Sequence, residues 1–264
     1  MNIRSIIHIE NLHKTLQGKK VFEGLNLDVF EGETRVIVGG SGEGKSVLLK
    51  HIIGLMESAS GRIIVDGIEM DHKRLQTVER IRHQIGMVFQ AGALFDSLTV
   101  RDNVAFALIN RSNLAEEEIN RIVREKLLLV NLGHIEHLYP AELSGGMKKR
   151  VSIARAMATE PKIILFDEPT TGLDPLNAEI INDLILELKE KVNITQVVVT
   201  HDIHSSCKIA DNISMLHNGK ILATADPGTM MQSDIQYIHE FMNVSRIGID
   251  GCAIDLSTER PKGE

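Results

Sequence analysis

Residues 36–55 read VIVGGSGEGKSVLLKHIIGL, and their reading decides the fold. Gly39-Gly40-Ser41-Gly42-Glu43-Gly44-Lys45-Ser46 has the spacing G-x-x-x-x-G-K-S, with Val47 behind it, between a β-branched run and apolar positions at helical spacing. Glycines let successive amides turn inward on phosphate oxygens, and a helix N-terminus adds partial positive charge. Lys45 can reach the terminal phosphates and Ser46 can ligate Mg²⁺. Glu43 is the awkward member, because a carboxylate beside phosphate is repulsive unless it points elsewhere.

Outward from this loop, IIHIEN, VFEGLNLDVF and TRVIVGG carry strand patterns broken by Gly18, Gly24 and Gly32, so the chain opens with sheet. Residues 98–158 predict a helical insert: Thr99 and Asp102 suit a cap, and Ile119, Ile122, Val123, Leu127 and Val130 keep helical spacing. KIILFDE (162–168) and TQVVVTH (195–201) are short apolar strands around a helical pattern from Leu176 to Leu188, a βαβ rhythm. Asn218-Gly219 signals a hairpin. The fold class expected is α/β, a P-loop NTPase.

Composition narrows the functions. The 264 residues are 43% apolar, enough for a real core. The net charge is −7, from 36 acidic and 29 basic residues, which argues against nucleic acid as a partner. Two cysteines, Cys207 and Cys252, point to a reducing compartment, and no signal peptide or transmembrane helix is expected.

The strand ending Phe166-Asp167-Glu168 presents adjacent carboxylates, with Asp167 assigned to Mg²⁺ and Glu168 to the attacking water. A solvent-exposed strand end is the bland alternative. His201 ends the next strand, where a parallel sheet meets its ligand, and suits a hydrogen bond to the γ-phosphate or to the water.

With the phosphate loop, Gln90, LSGGM (143–147), ILFDEP (164–169), GLD (172–174) and His201 in this order, residues 5 to about 228 resemble the nucleotide-binding subunit of ABC transporters. The resemblance implies a RecA-like core (1–90 and 161–228), an N-terminal antiparallel β subdomain, a helical subdomain (91–160) and a C-terminal extension (229–264). It implies a homodimer sandwiching two ATP molecules, in which Ser144, Gly145 and Gly146 grip the γ-phosphate held by the other subunit's Lys45. Asp174 would communicate between the two sites, and Gln90 would sense Mg²⁺ and the water. The family usually has an aromatic near position 16 to stack on adenine. Here Leu16 stands, leaving weaker apolar contact, His13 or Phe22, and room for GTP.

The stretch VFQAGALFDSLTVRDNVAF (88–106) sets Phe89, Leu94 and Phe95 around Gln90 with neither strand nor helix spacing. By resemblance this segment receives a coupling helix from a membrane permease; packing between core and helical subdomain is the other reading. Its wording, with GKSVLLKHIIGL, is similar to the ATPases of Mla and Mce-associated lipid transporters. That implies a permease dimer, an Mce-type lipid-binding protein, and a peripheral position on the cytoplasmic face of the inner membrane. A solute importer or a cell-division ABC pair is the runner-up. A DNA-repair or translation ATPase fits less well, since those carry a long coiled-coil insertion or two cassettes. In the tail, Phe241, Met242, Ile247 and Ile249 suit docking on a neighbouring subunit or a regulator.

Overall fold

The structure, a computed structural model, describes residues 4–111 and 114–250, with the backbone alone for residue 111 and residues 244–250. Ile247 and Ile249 therefore lie outside the described side chains, and the polar end from 251 outside the described residues.

Two sheets form the centre. The first holds β1 (Ser5–Leu16), β2 (Lys19–Phe30), β4 (Ser60–Val65) and β5 (Ile68–Glu69) in the antiparallel order β2-β1-β4-β5. The second has the order β10-β9-β3-β8-β7-β6, from β3 (Thr34–Val38), β6 (Ile85–Val88), β7 (Ile163–Asp167), β8 (Thr195–Thr200), β9 (Asn212–His217) and β10 (Lys220–Ala225). Its strands are parallel except for the β9–β10 hairpin, whose turn residues Asn218 and Gly219 both have positive φ.

The strand-like opening is thus divided: TRVIV leaves the first sheet for the centre of the second. The strands of the first sheet after residue 59 went unread in the sequence, although Asp66-Gly67 between Ile64-Val65 and Ile68 is an Asp-Gly hairpin signal, and both residues have positive φ. Helix α2 (Leu75–Gln84) was also missed; its only buried residues are Val78 and Ile81, too few for a clear period.

Alternate residues of the parallel strands feed two cores. Ile37, Leu165, Val197 and Val199 face the antiparallel sheet and α1 (Lys45–Ile52), meeting Leu12, Leu25, Leu48 and Ile52. Val36, Ile164, Phe166 and Val198 face the other way, toward α3 (Val100–Arg111), α4 (Glu116–Leu129), α5 (Gly145–Met157), α6 (Pro175–Val192) and α7 (Ile203–Ile209). Burial on both faces is why these strands read as continuous apolar runs. Thr99 and Asp102 exchange hydrogen bonds at the start of α3, at 3.1 Å from the Asp102 amide and 2.8 Å from the Thr99 hydroxyl. After α8 (Pro227–Met231), α9 (Gln236–Asp250) buries Ile238 and Met242 in the second core, so these side chains dock on their own chain.

His51 in α1 is fully buried, edge-on to Phe22 with ring centroids 5.6 Å apart, and donates from Nδ1 to the Val47 carbonyl at 2.8 Å. Burial lowers its pKa, with the Val47 hydrogen bond opposing. The fold thus favours the neutral ring. Its contribution is present above the unfolded value of about 6.5 and is lost as pH falls through the lowered folded value. Urea midpoints should therefore fall more steeply between about pH 7 and about pH 5 for the native chain than for His51→Leu.

Candidate functional site

Four parallel strands end at one edge and deliver the site. Val38 pairs with Thr200, Asp167 with Val199, and Val88 with Phe166, so the loop after β3, the carboxylates of β7, His201 after β8 and Gln90 after β6 share a crevice. A cavity of about 710 Å³ opens there, lined by Leu16, Val21, Gln90, Glu168, His201 and Phe241 together with loop residues from Gly40 to Val47.

The loop needs its glycines. Gly44 caps α1 at φ 102°, and a Cβ there would stand 2.7 Å from Val21 Cγ1. A Cβ on Gly39 would stand 2.5 Å from the Leu216 carbonyl oxygen. Lys45, almost fully buried, donates to the Gly39 and Gly40 carbonyls at 2.8 and 3.1 Å and lies 3.7 Å from Glu168 Oε1. Glu43 is also accounted for. Its Oε2 accepts from the Asn218 amide at 2.8 Å, and its Oε1 pairs with His217 Nδ1 at 3.1 Å. A free carboxylate about 6 Å from a phosphate charge would cost about 3 kcal/mol at an effective dielectric constant of about 20, and the β9–β10 turn turns it aside.

Ser46 Oγ donates to Asp167 Oδ1 at 2.7 Å. Burial raises the Asp167 pKa, Glu168 adds to the rise, and the Ser46 hydrogen bond opposes it. Glu168 sits at φ 48°, a left-handed backbone that costs a side-chain-bearing residue about 1 kcal/mol or more and is common at functional sites. Its Oε2 accepts from Thr171 Oγ1 at 3.0 Å and Thr200 Oγ1 at 3.3 Å, and pairs with His201 Nδ1 at 2.9 Å.

Ser144, Gly145 and Gly146 lie at the start of α5, outside the lining of this cavity. Ser144 Oγ caps the helix by accepting from the Met147 amide at 3.2 Å. Asp174 likewise caps α6, accepting from the Asn177 amide at 3.0 Å and its side chain at 2.6 Å, which hold its carboxyl below the usual range. These two caps pack together: a Cβ on Gly146 would stand 2.4 Å from Asn177 Oδ1, and one on Gly145 would stand 3.5 Å from Leu173.

Of the aromatic substitutes for position 16, Phe22 is buried beside His51, and His13 pairs with Asn11 Oδ1 at 3.0 Å; neither lines the cavity. Leu16 does. Lys149 was missed by sequence reasoning. Buried, it donates to the Gln90 carbonyl and, at 3.2 Å, to the Glu168 carbonyl, tying the two segments together; burial lowers its pKa while both carboxylates raise it. Nothing in its position after LSGGM announces this, because its partners are backbone atoms from distant segments. In the segment after Gln90, Phe89 and Leu94 pack on the two cores, whereas Phe95 is exposed and lies 4.6 Å, centroid to centroid, from exposed Phe106.

Among the described residues, no group of three or more His, Cys, Asp or Glu forms a cage for a metal ion. The Ser46–Asp167 pair fits a Mg²⁺ that takes its remaining ligands from phosphates and water. Fold and site together define a phosphate-loop nucleotide-hydrolysing cassette.

Comparison with known proteins makes the assignment specific: a profile described as ABC transporter matches residues 22–171, and the chain belongs to that family. It is an ABC ATPase, which binds and hydrolyses ATP. It is 38% identical over 92% of its length to the probable ribonucleotide transport ATP-binding protein mkl of Mycobacterium leprae, covering 70% of that protein. It is 37% identical to the intermembrane phospholipid transport system ATP-binding protein MlaF of Haemophilus influenzae, over 90% of each chain. It is 38% identical to the glutamine transport ATP-binding protein GlnQ of Escherichia coli, over 90% of this chain and 98% of that one. Among solved structures, cbiO1 of Clostridium perfringens, part of the ABC transporter complex cbiONQ, superposes with a TM-score of 0.80 at 32% identity, covering 94% and 98% of the two chains. The ATP-binding cassette MJ0796, dimeric and bound to ADP and Pi, gives 0.77 at 34% identity, covering 84% and 98%.

Gly44→Ala should lower stability by about 1–3 kcal/mol in urea titrations and weaken ATP binding at least about tenfold, because the left-handed backbone and the Val21 contact both oppose a side chain.

Proposed function

We propose that this chain is the motor subunit of an inner-membrane ABC transporter that moves phospholipids or related lipids between membranes, working as a homodimer on a permease dimer. The observation that carries the motor reading is the convergence on Glu168 of Thr171, Thr200 and His201, beside Lys45 and the phosphate loop.

In this reading Lys45 exchanges its carbonyl partners for β- and γ-phosphate oxygens, while the loop amides from Gly40 to Val47 hold the phosphates. Ser46 and Asp167 hold Mg²⁺, with Gln90 reaching toward it; when bound, the ion neutralises charge on the phosphates. Glu168 accepts the proton of the attacking water. His201 donates from Nδ1 to Glu168, leaving Nε2 to face the γ-phosphate or the water. Ser144, Gly145 and Gly146 are outside their own cavity, so they serve the nucleotide of the second copy, with Asp174 packed alongside as the link between sites. The dimeric MJ0796 cassette, bound to ADP and Pi, supports a dimer in this reading.

Phe95 and Phe106 supply the apolar contact for a permease helix. The loop behind them is braced for the load: buried Asn103 bonds the Phe95 amide and carbonyl at 2.8 and 3.1 Å, and Arg155 donates to the Gly92 and Ala93 carbonyls at 2.9 and 2.6 Å. Lipid cargo is supported by the near full-length similarity to MlaF and by the wording of residues 88–106, and it brings with it an Mce-type partner and the cytoplasmic membrane face. A solute importer is the second reading, favoured by 38% identity to GlnQ over 98% of that protein.

Glu168→Gln should cut ATP turnover by about 100-fold or more while stabilising an ATP-bound dimer on size exclusion; normal turnover would remove Glu168 from the chemistry. Phe95→Asp should leave ATP binding intact and abolish recovery of the permease; undiminished recovery would move the contact elsewhere. Cargo is tested by affinity purification of the tagged chain from its native membranes in mild detergent. Recovery of a polytopic permease, an Mce-type protein and phospholipid supports the lipid reading, and recovery of a periplasmic solute-binding system replaces it.

A further inference from the structure

The cavity lining contains one residue from far beyond the phosphate-loop and carboxylate segments: Phe241, from α9, at the opposite end of the chain from Lys45. Among the described residues it supplies the only phenyl ring of that lining. One helical turn earlier, Tyr237 lies 6.1 Å from Phe241, centroid to centroid, with the rings inclined by 29°. The Tyr237 ring stacks on His217 at 3.7 Å and 23°, and its hydroxyl stands 3.8 Å from where a Cβ on Gly40 would lie. His217 in turn pairs with Glu43, whose other oxygen is held by the Asn218 amide.

A continuous run of contacts therefore passes from α9 through Tyr237, His217 and Glu43 into the phosphate loop. The helix is set on the body of the protein by fully buried Ile238 and Met242, which place its aromatic face toward the cavity and His217. Each contact has a consequence for an anionic ligand. The stacked Tyr237 fixes the plane of the His217 ring, the Asn218 side chain holds its Nε2 at 2.8 Å so that Nδ1 meets Glu43, and Glu43 held this way keeps its charge off the phosphates. Without that restraint, a glutamate in the middle of a phosphate-binding loop opposes the ligand the loop exists to bind.

We propose that α9 is a working part of the nucleotide site: Phe241 contacts the bound nucleoside triphosphate, and Tyr237 is a positioning residue that holds the phosphate loop through His217 and Glu43. The proposal accounts for two features together, a carboxylate inside a phosphate loop and an aromatic helix beside a cavity whose position 16 is leucine.

The test is an equilibrium titration of the full chain with a ribose-labelled fluorescent ATP, together with ATPase kinetics and thermal unfolding without nucleotide. Tyr237→Ala should weaken binding about tenfold, raise KM in step and leave kcat within about twofold, the size expected for losing a stacked aromatic pair. Tyr237→Phe, which keeps the ring, should restore native affinity. Phe241→Ala should weaken binding severalfold, in addition to the fall in unfolding temperature that follows from its partial packing on the second core. Native affinity in both alanine variants would overturn the proposal, as would a fall in unfolding temperature with unchanged affinity, which marks packing alone. Tighter binding in either would overturn it too, since the helix would then compete with nucleotide. Should Tyr237→Ala fail to fold, Phe241→Ala and Tyr237→Phe decide alone.

Discussion

The in-register pairing of four parallel strands carries everything else in this molecule. Val38 opposite Thr200, Asp167 opposite Val199 and Val88 opposite Phe166 put the ends of β3, β8, β7 and β6 at one edge. Slipping β7 by one residue would turn Ile164 and Phe166 out of one core and Ile163 and Leu165 out of the other, since the side-chain period of a strand is two. The two cores thereby lock the register, and the register places Asp167 beside Ser46 and Glu168 beside His201. Packing and chemistry are linked through the same residues.

Around that edge the polar groups are held from several directions. Glu168 accepts from Thr171 within its own turn and from Thr200 on the adjacent strand, and Lys149 ties its carbonyl to that of Gln90. A left-handed glutamate persists because so many partners fix it. Glu43 illustrates the same economy in reverse: the residue that most threatens phosphate binding is turned toward His217 and Asn218, where its charge does no harm.

The apolar segment after Gln90 divides its residues by depth. Phe89 and Leu94 go to the cores, whereas Phe95, on a loop braced by Asn103 and Arg155, and Phe106, on α3, stay exposed. Interior packing and an exposed aromatic pair therefore both arise from this one segment. The chain is 37% identical to a phospholipid transport protein and 38% identical to a glutamine transport protein, so the cassette is similar to those of transporters with different cargo.

The sequence by itself determined the α/β class and showed the phosphate loop and the carboxylate pair, because each rests on a short run of residues whose types have few alternative uses; the family resemblance rests on the order of such runs from residue 39 to His201, which is singled out by its place after a strand. It also announced the β9–β10 hairpin through Asn218-Gly219, while the similar signal at Asp66-Gly67 went unread. Only the tertiary structure decided that TRVIV joins the second sheet, that Lys149 bridges Gln90 and Glu168, that Glu43 turns away from the site, and that Tyr237 and Phe241 reach the loop from the far end of the chain. Those facts depend on contacts between segments up to about two hundred residues apart, made through backbone carbonyls and ring faces. Such partners leave no periodicity and no motif in a single sequence.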